Sequence, residues 1–202
     1  MKPYYQDEWV TIYHGDCREI LPQLPKVDLV LTDPPYELEN YRLVAELGLP
    51  VLAWCGLRTL PIALTELGNS LTYRGVFAYV NQTTGHMIGK IINKTHFLLW
   101  FGDNKMLGYL PNGYMSVGWG MENNSHKWAK NPRFIEKAIV AFANASDIIL
   151  DPFLGNGVTS YCAKKLNRKC IGIEIEEKYC EIAAKRCSQQ VFDFSKESNG
   201  KR

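Results

Sequence analysis

Apolar residues along this chain fall into two alternating kinds of run: short blocks of strand length and longer stretches with helical spacing. Residues 27–32 form a short apolar block that stops at Asp33-Pro34-Pro35-Tyr36, because two prolines cannot continue a central strand. Residues 50–54, 75–80 and 96–101 are further apolar or aromatic runs of strand length. Over 131–144, Phe134, Ile135, Ala138, Ile139 and Phe142 recur at helical intervals, and Pro132 suits a first helical turn. Residues 147–151 predict another strand, followed at once by Pro152-Phe153-Leu154-Gly155-Asn156-Gly157. The helix predicted next carries Val158, Tyr161, Cys162, Lys165 and Leu166 at helical intervals, with the apolar ones on one side. A strand at 169–174 and an amphipathic helix at 176–187 complete the pattern. Such alternation predicts an α/β domain with a mostly parallel, doubly wound sheet, whose ligands bind beyond the carboxyl ends of the strands at the switch point. One domain over 1–187 and a flexible polar tail over 188–202 are expected.

Composition alters this picture little, but the distribution of charge alters it more. The 202 residues suffice for a buried core without disulfides or metal, and 46% hydrophobic with 22% charged residues is ordinary for a globular chain. The net charge of +2 conceals a division. Residues 1–50 hold four basic and nine acidic side chains, residues 51–150 hold nine and five, and residues 151–202 hold ten and seven. A polyanion could therefore meet the middle and end of the chain but not its start. Acids at Asp7 and Glu8 stand where a signal peptide needs an apolar core, and the eleven apolar residues 47–57, broken by Pro50, are too few to cross a bilayer. Six cysteines include no Cys-x-x-Cys pair, and the spacing of Cys162, Cys170, Cys180 and Cys187 matches no common zinc pattern. Reduced thiols, no metal, no membrane and a cytoplasmic location are the expectations.

Two constellations carry chemistry. In the first, a strand leads through Gly155-Asn156-Gly157 into a helix and a second strand that ends at Glu174, 19 residues after Gly155. Glycines let the backbone turn tightly and approach a ligand, the helix N-terminus offers free N–H groups, and the acid is placed to accept ribose hydroxyl protons. This arrangement suits a nucleoside-bearing cofactor. A dinucleotide fits less well, because Thr159-Ser160 stand where a third glycine would be and Asp151-Pro152-Phe153 precedes the turn. The second constellation is Asp33-Pro34-Pro35-Tyr36 at a strand end. Asp33 and the Pro34 carbonyl offer two acceptors, Pro35 fixes the backbone, and Tyr36 offers a stacking face; the set suits a planar group carrying an exocyclic amino group.

These two elements resemble the DNA amino-methyltransferases, which use S-adenosylmethionine. Their order, with Asp33-Pro34-Pro35-Tyr36 before Asp151-Pro152-Phe153-Leu154-Gly155-Asn156-Gly157, is that of the family's circularly permuted beta group. Ile12-Tyr13-His14-Gly15-Asp16-Cys17 resembles that group's Gly-Asp element, whose acid contacts the cofactor's adenine. Residues 95–102 resemble its late strand, 125–132 its His-x-x-x-Lys-Pro element, and 171–174 its ribose-binding strand. The match runs from about residue 10 to 187. Asn131 intrudes between Lys130 and Pro132, Leu154 and Val158 replace the usual small residue and Thr, and the target-recognition segment, about 103–125, is short. The resemblance implies a Rossmann-like methyltransferase fold in which Asp16, Asp151, Phe153, Gly155, Asn156, Gly157, Thr159 and Glu174 bind the cofactor. Asp33, Pro34, Pro35 and Tyr36 would then act on the target amino group.

The resemblance also implies double-stranded DNA as partner, with restriction-modification or a solitary, phage-borne enzyme as the setting. Residues 81–137 hold seven basic and three acidic side chains. From this stretch Lys105, Tyr114, Trp119, Asn123, Lys127 and Lys130 are the candidate DNA contacts: cations for phosphates, aromatics for unstacked bases, an amide for a base edge. So small a recognition segment implies either a short target sequence or help from a second copy in a homodimer. An Asp at the first motif position favours adenine N6, because cytosine N4 enzymes more often carry Ser there. Cytosine N4, an RNA or protein amino-methyltransferase, and a binding-only relative stay open as alternatives.

Overall fold

The computed structural model describes residues 1–81, 86–88, 91–93, 95–103, 106–108, 114–117 and 132–189. In chain order its elements are β1 (Tyr5–Gln6), β2 (Val10–His14), α1 (Cys17–Ile20), β3 (Leu29–Thr32), α2 (Leu38–Glu46), β4 (Val51–Gly56), α3 (Leu60–Gly68) and β5 (Tyr73–Asn81). They continue with β6 (His86–Ile88), β7 (Ile91–Asn93), β8 (Thr95–Phe101), β9 (Tyr114–Val117), α4 (Pro132–Phe142), β10 (Ile148–Asp151), α5 (Val158–Lys165), β11 (Lys169–Glu174) and α6 (Glu177–Ser188). The main sheet has the order β1-β2-β11-β10-β3-β4-β8-β5-β9, and β6 pairs with β7 as a separate hairpin. From β2 through β4 all neighbours are parallel. The antiparallel β8 lies between β4 and β5.

Why the sheet is covered on both faces is visible in β3. Leu29 and Leu31 point into one hydrophobic cluster, with Phe134, Ile135, Ala138 and Ile139 of α4 and Cys162 and Ala163 of α5. Val30, between them, points into the other, with Tyr41, Val44 and Ala45 of α2 and Ala63 and Leu67 of α3. Strand side chains alternate faces, so a strand buried on both sides reads as a continuous apolar run, as β3 does. Helix α6 closes a third cluster, packing Cys180, Ala183 and Cys187 against Val10 and Ile12 of β2. All six cysteines are free thiols, and five of them are buried.

The site's position follows from connectivity. From β10 the chain passes through α5 to β11 on one side; from β3 it passes through α2 to β4 on the other. The sheet order therefore reverses between β10 and β3, and the crevice at their carboxyl ends is the place where doubly wound sheets hold ligands. Asp33 follows the last residue of β3, and Asp151 is the last residue of β10. Residues 119 apart in the chain thus become neighbours, joined by the 2.7 Å hydrogen bond from the Thr32 hydroxyl to Asp151 Oδ1.

Candidate functional site

A cavity of about 650 Å³ opens at this switch point. Its wall includes Asp16, Asp33, Pro34, Pro35, Tyr36, Phe153, Gly155 and Glu174, so eight of the residues singled out in the sequence meet in one place. Cys17, Arg18, Asn40, Ile173, Ile175 and Tyr179 complete much of the lining.

On the β3 side the chain leaves the sheet at Asp33, which is half-buried, and turns through the two prolines. The turn is held from behind: the Pro35 carbonyl accepts from the Glu37 N–H at 2.7 Å and from Asn40 Nδ2 at 3.2 Å. Tyr36 is 47% exposed at the cavity wall.

On the β10 side, Gly155 adopts φ +54°, and no heavy atom lies within 4 Å of where a Cβ would be. Its N–H donates to Glu174 Oε2 at 2.8 Å, while Glu174 Oε1 accepts from the Glu176 N–H at 2.8 Å. Glu174 is 9% exposed, so two backbone donors fix a nearly buried carboxylate at the cavity edge with lone pairs to spare. Gly157 has a different task. At φ +78° it begins α5, and a Cβ there would sit 2.6 Å from the Ala183 Cβ, so the bare backbone is what lets α5 abut α6. The Asn156 side chain faces the same way and accepts from Arg186 at 3.3 Å. Asp16 caps α1, accepting the Arg18 N–H at 2.9 Å, and the Arg18 guanidinium beside it holds its carboxyl below the usual carboxylate range. Burial pushes the neighbouring Cys17 thiol up, away from the thiolate form a nucleophile would need.

Asp151, Asn156, Gly157 and Thr159 do not line the cavity; they stand behind it and shape the turn that does. Asp151 is 3% exposed and takes hydrogen bonds from Thr32, Thr159 and the Phe153 N–H. Burial raises its carboxyl to about 6, those hydrogen bonds oppose the rise, and the charge of Asp33 adds to it. Thr32, Arg18, Asn40 and Tyr179 carry no motif signal, and only the fold brings them to the site. Of the candidate DNA contacts, Tyr114 falls on β9; Lys105, Trp119, Asn123, Lys127 and Lys130 lie outside the described residues, as does the tail from 190 onward. Among the described residues no group of three or more His, Cys, Asp or Glu side chains could hold a metal, and no helix is long and apolar enough to cross a membrane.

Residues 104–185 match the family described as DNA methylase, of the N6/N4 methyltransferase type. Along 93% of its length the chain is 26% identical to the type II methyltransferase M2.LlaDCHI of Lactococcus lactis subsp. cremoris, covering 93% of that protein. It superposes on the crystal structure of an M1.HpyAVI–SAM complex with a TM-score of 0.74 and 28% identity, over 89% of this chain and all of the other. The cytosine-N4-specific PvuII DNA methyltransferase shares the fold, with a TM-score of 0.75 at 17% identity over 96% of this chain and 92% of that one. With the site geometry, these likenesses make the chain similar, over most of its length, to DNA amino-methyltransferases, enzymes whose methyl donor is S-adenosylmethionine. The chain order of its two motifs fits the permuted beta group named above.

The residues present suit that donor. The space beside Gly155 admits a ligand against bare backbone, Glu174 can receive two ribose hydroxyls, and the half-buried Phe153 offers apolar surface. Replacing Glu174 by Ala removes these acceptors and frees two backbone N–H groups. S-adenosylmethionine affinity is expected to fall on the order of 30-fold, as loss of charge-assisted hydrogen bonds would give. Titration calorimetry reads this directly, and an affinity within threefold of the parent would remove Glu174 from the cofactor site.

Proposed function

We propose that this enzyme methylates the N6 amino group of adenine in double-stranded DNA. The observation that carries the reading is the meeting, in one cavity, of the Asp33-Pro34-Pro35-Tyr36 turn with the Gly155–Glu174 cradle. Bound against that cradle, S-adenosylmethionine supplies an electrophilic methyl group on a positively charged sulfur. Asp16, Phe153, Gly155 and Glu174 would hold it, backed by Asp151, Asn156, Gly157 and Thr159. The chain's own task is to ready the acceptor. An aromatic amino group is a poor nucleophile because its lone pair is delocalised into the ring. Asp33 and the Pro34 carbonyl accept its two N–H bonds, which turns the lone pair out of the ring plane toward the cofactor side. Asp33 is the group placed to take the proton that the nitrogen must lose. Positioning and proton acceptance are then most of the catalysis. A base inside a duplex cannot reach the crevice, so it must be flipped out, and Tyr36 is placed to stack on it.

Adenine is favoured over cytosine because Asp, not Ser, stands at position 33, a preference drawn from the family resemblance. Lys105, Tyr114, Trp119, Asn123, Lys127 and Lys130 remain the proposed DNA contacts. The small 103–125 segment suits a short target sequence or a pair of copies. The deciding experiment is incubation with labelled S-adenosylmethionine and unmethylated duplex DNA, followed by nucleoside analysis. Label is expected in N6-methyladenine. Label in N4-methylcytosine would move the assignment to the other base, and label in neither would overturn DNA as the substrate.

A further inference from the structure

The backbone ladder between β3 and β10 pairs Leu29 with Ile149 and Val30 with Leu150. At the carboxyl end of these strands the link is made by side chains. The Thr32 hydroxyl, 1% exposed, donates to Asp151 Oδ1 at 2.7 Å. Each partner adjoins a different half of the cavity. Thr32 precedes Asp33, and Asp151 precedes Pro152 and Phe153, all three of which line it.

We propose that Thr32 is a positioning residue whose hydroxyl keeps Asp151 as a buried carboxylate behind the cofactor cavity, and so locks the Asp33 turn against the Phe153–Gly155 turn. This rests on the reading of that cavity as the S-adenosylmethionine site, but not on which base is methylated. The argument is one of isolation. Asp151 is buried, and among the described residues the charged or titratable groups that act on it are Asp33 at the end of β3 and the Cys170 thiol of β11. Neither compensates a negative charge. The remaining neighbours are the neutral donors Thr32, Thr159 of α5 and the Phe153 N–H. A carboxylate in such surroundings survives only through its donors, since each hydrogen bond to the charged form lowers the proton affinity that burial raises. Its proton affinity already lies near 6, so loss of one donor carries it into the neutral range. The cofactor is a net cation at neutral pH, with sulfonium and ammonium against a single carboxylate. A negative charge behind the cavity therefore favours its binding, and a protonated Asp151 does not.

The test is S-adenosylmethionine affinity by calorimetry from pH 5.5 to 8.5 for the parent, Thr32→Val and Thr32→Ser. Valine keeps the shape and removes the donor. The Thr32→Val protein is expected to bind within about twofold of the parent at pH 8.5, about threefold more weakly at pH 6.5 and about eightfold more weakly at pH 5.5. The acid limb of binding moves up by about one pH unit, the size of one lost charge-assisted hydrogen bond. Serine restores the parent profile. A loss of equal size at every pH, or an unchanged profile, would overturn the proposal, because a purely structural threonine predicts one or the other. Should Thr32→Val not fold, Asp151→Asn is expected to abolish the acid limb, and its persistence would equally overturn the proposal. A parent protein that binds no S-adenosylmethionine at any pH would overturn this inference and the cavity assignment together. Failure to methylate DNA with binding intact would touch only the assignment of target.

Discussion

Replacing Asp33 by Ala is expected to lower kcat for methyl transfer at least 1,000-fold, at the upper end of what a positioned proton acceptor contributes, while S-adenosylmethionine affinity stays within about threefold. The asymmetry follows from where Asp33 stands. It leaves the sheet at the end of β3 and lines the same cavity as Gly155 and Glu174, and in the proposed reaction it meets only the acceptor's amino group. Alanine removes the side-chain acceptor of that amino group and leaves the Pro34 carbonyl alone with an amino nitrogen whose lone pair returns to the ring. Nothing in the cradle formed by Gly155, Glu174 and Glu176 changes, because its hydrogen bonds do not involve Asp33. Single-turnover transfer to a short duplex, with calorimetry on the same protein, separates the two quantities. A fall in kcat under tenfold, or an affinity loss matching that of Glu174→Ala, would show that the roles of the two acids are exchanged.

The second large effect concerns stability. Gly157→Ala is expected to cost about 4 kcal/mol in unfolding free energy, the sum of about 1–2 kcal/mol for an L-residue in the left-handed region and of overpacking at a site that cannot yield. The added carbon would fall 2.6 Å from the Ala183 Cβ and 2.8 Å from its Cα, a methyl fixed rigidly to helix backbone and the backbone itself, neither of which can rotate aside as a flexible chain end could. Gly155→Ala is the control. At φ +54° it carries the same backbone strain but meets no atom within 4 Å, so its stability loss should be about 1 kcal/mol. Two glycines that look alike in the sequence thus differ in what they serve: one keeps a face open to a ligand, the other admits a neighbouring helix. Denaturant unfolding of both variants measures this, and a Gly157→Ala loss below 1 kcal/mol would refute the packing account.

How legible all this is in the sequence depends on how each element is buried. Strands β3, β10 and β11 are covered on both faces and read as unbroken apolar runs, and α4 shows its spacing because six of its eleven residues are buried. The sequence pattern predicts neither α2 nor α3. Only Tyr41, Val44 and Ala45 are buried in α2, and charged or amide residues fill much of the rest, so its apolar stripe is too narrow to register. In α3 the apolar residues 60–64 follow the end of β4 so closely that the boundary dissolves. The hairpin of β6 and β7 and the edge strand β9 are three or four residues long, below the length at which alternation is a signal. At the site, residues presenting backbone or carboxylate to the cavity were legible because proline, glycine and acid at strand ends are unusual. Thr32 was not, since a threonine closing a strand is common and its partner lies 119 residues away. Asn156 and Thr159 belong to the motif yet face away from the cavity, because a motif marks a turn as a whole and does not say which side chain meets the ligand.

The permuted order has a consequence for synthesis. On the ribosome β3 and the Asp33 carboxylate that follows it emerge more than a hundred residues before β10. Until then β3 can pair with β4 on one side only, and β2 lacks its partner β11. The nascent chain thus carries unfilled strand edges on both sides of a gap at the centre of its future sheet, an aggregation hazard that ends only when the β10–α5–β11 unit drops in. The segment that brings the cofactor turn is also the one that closes the sheet, so the protein cannot hold a complete reaction cavity before its core is finished.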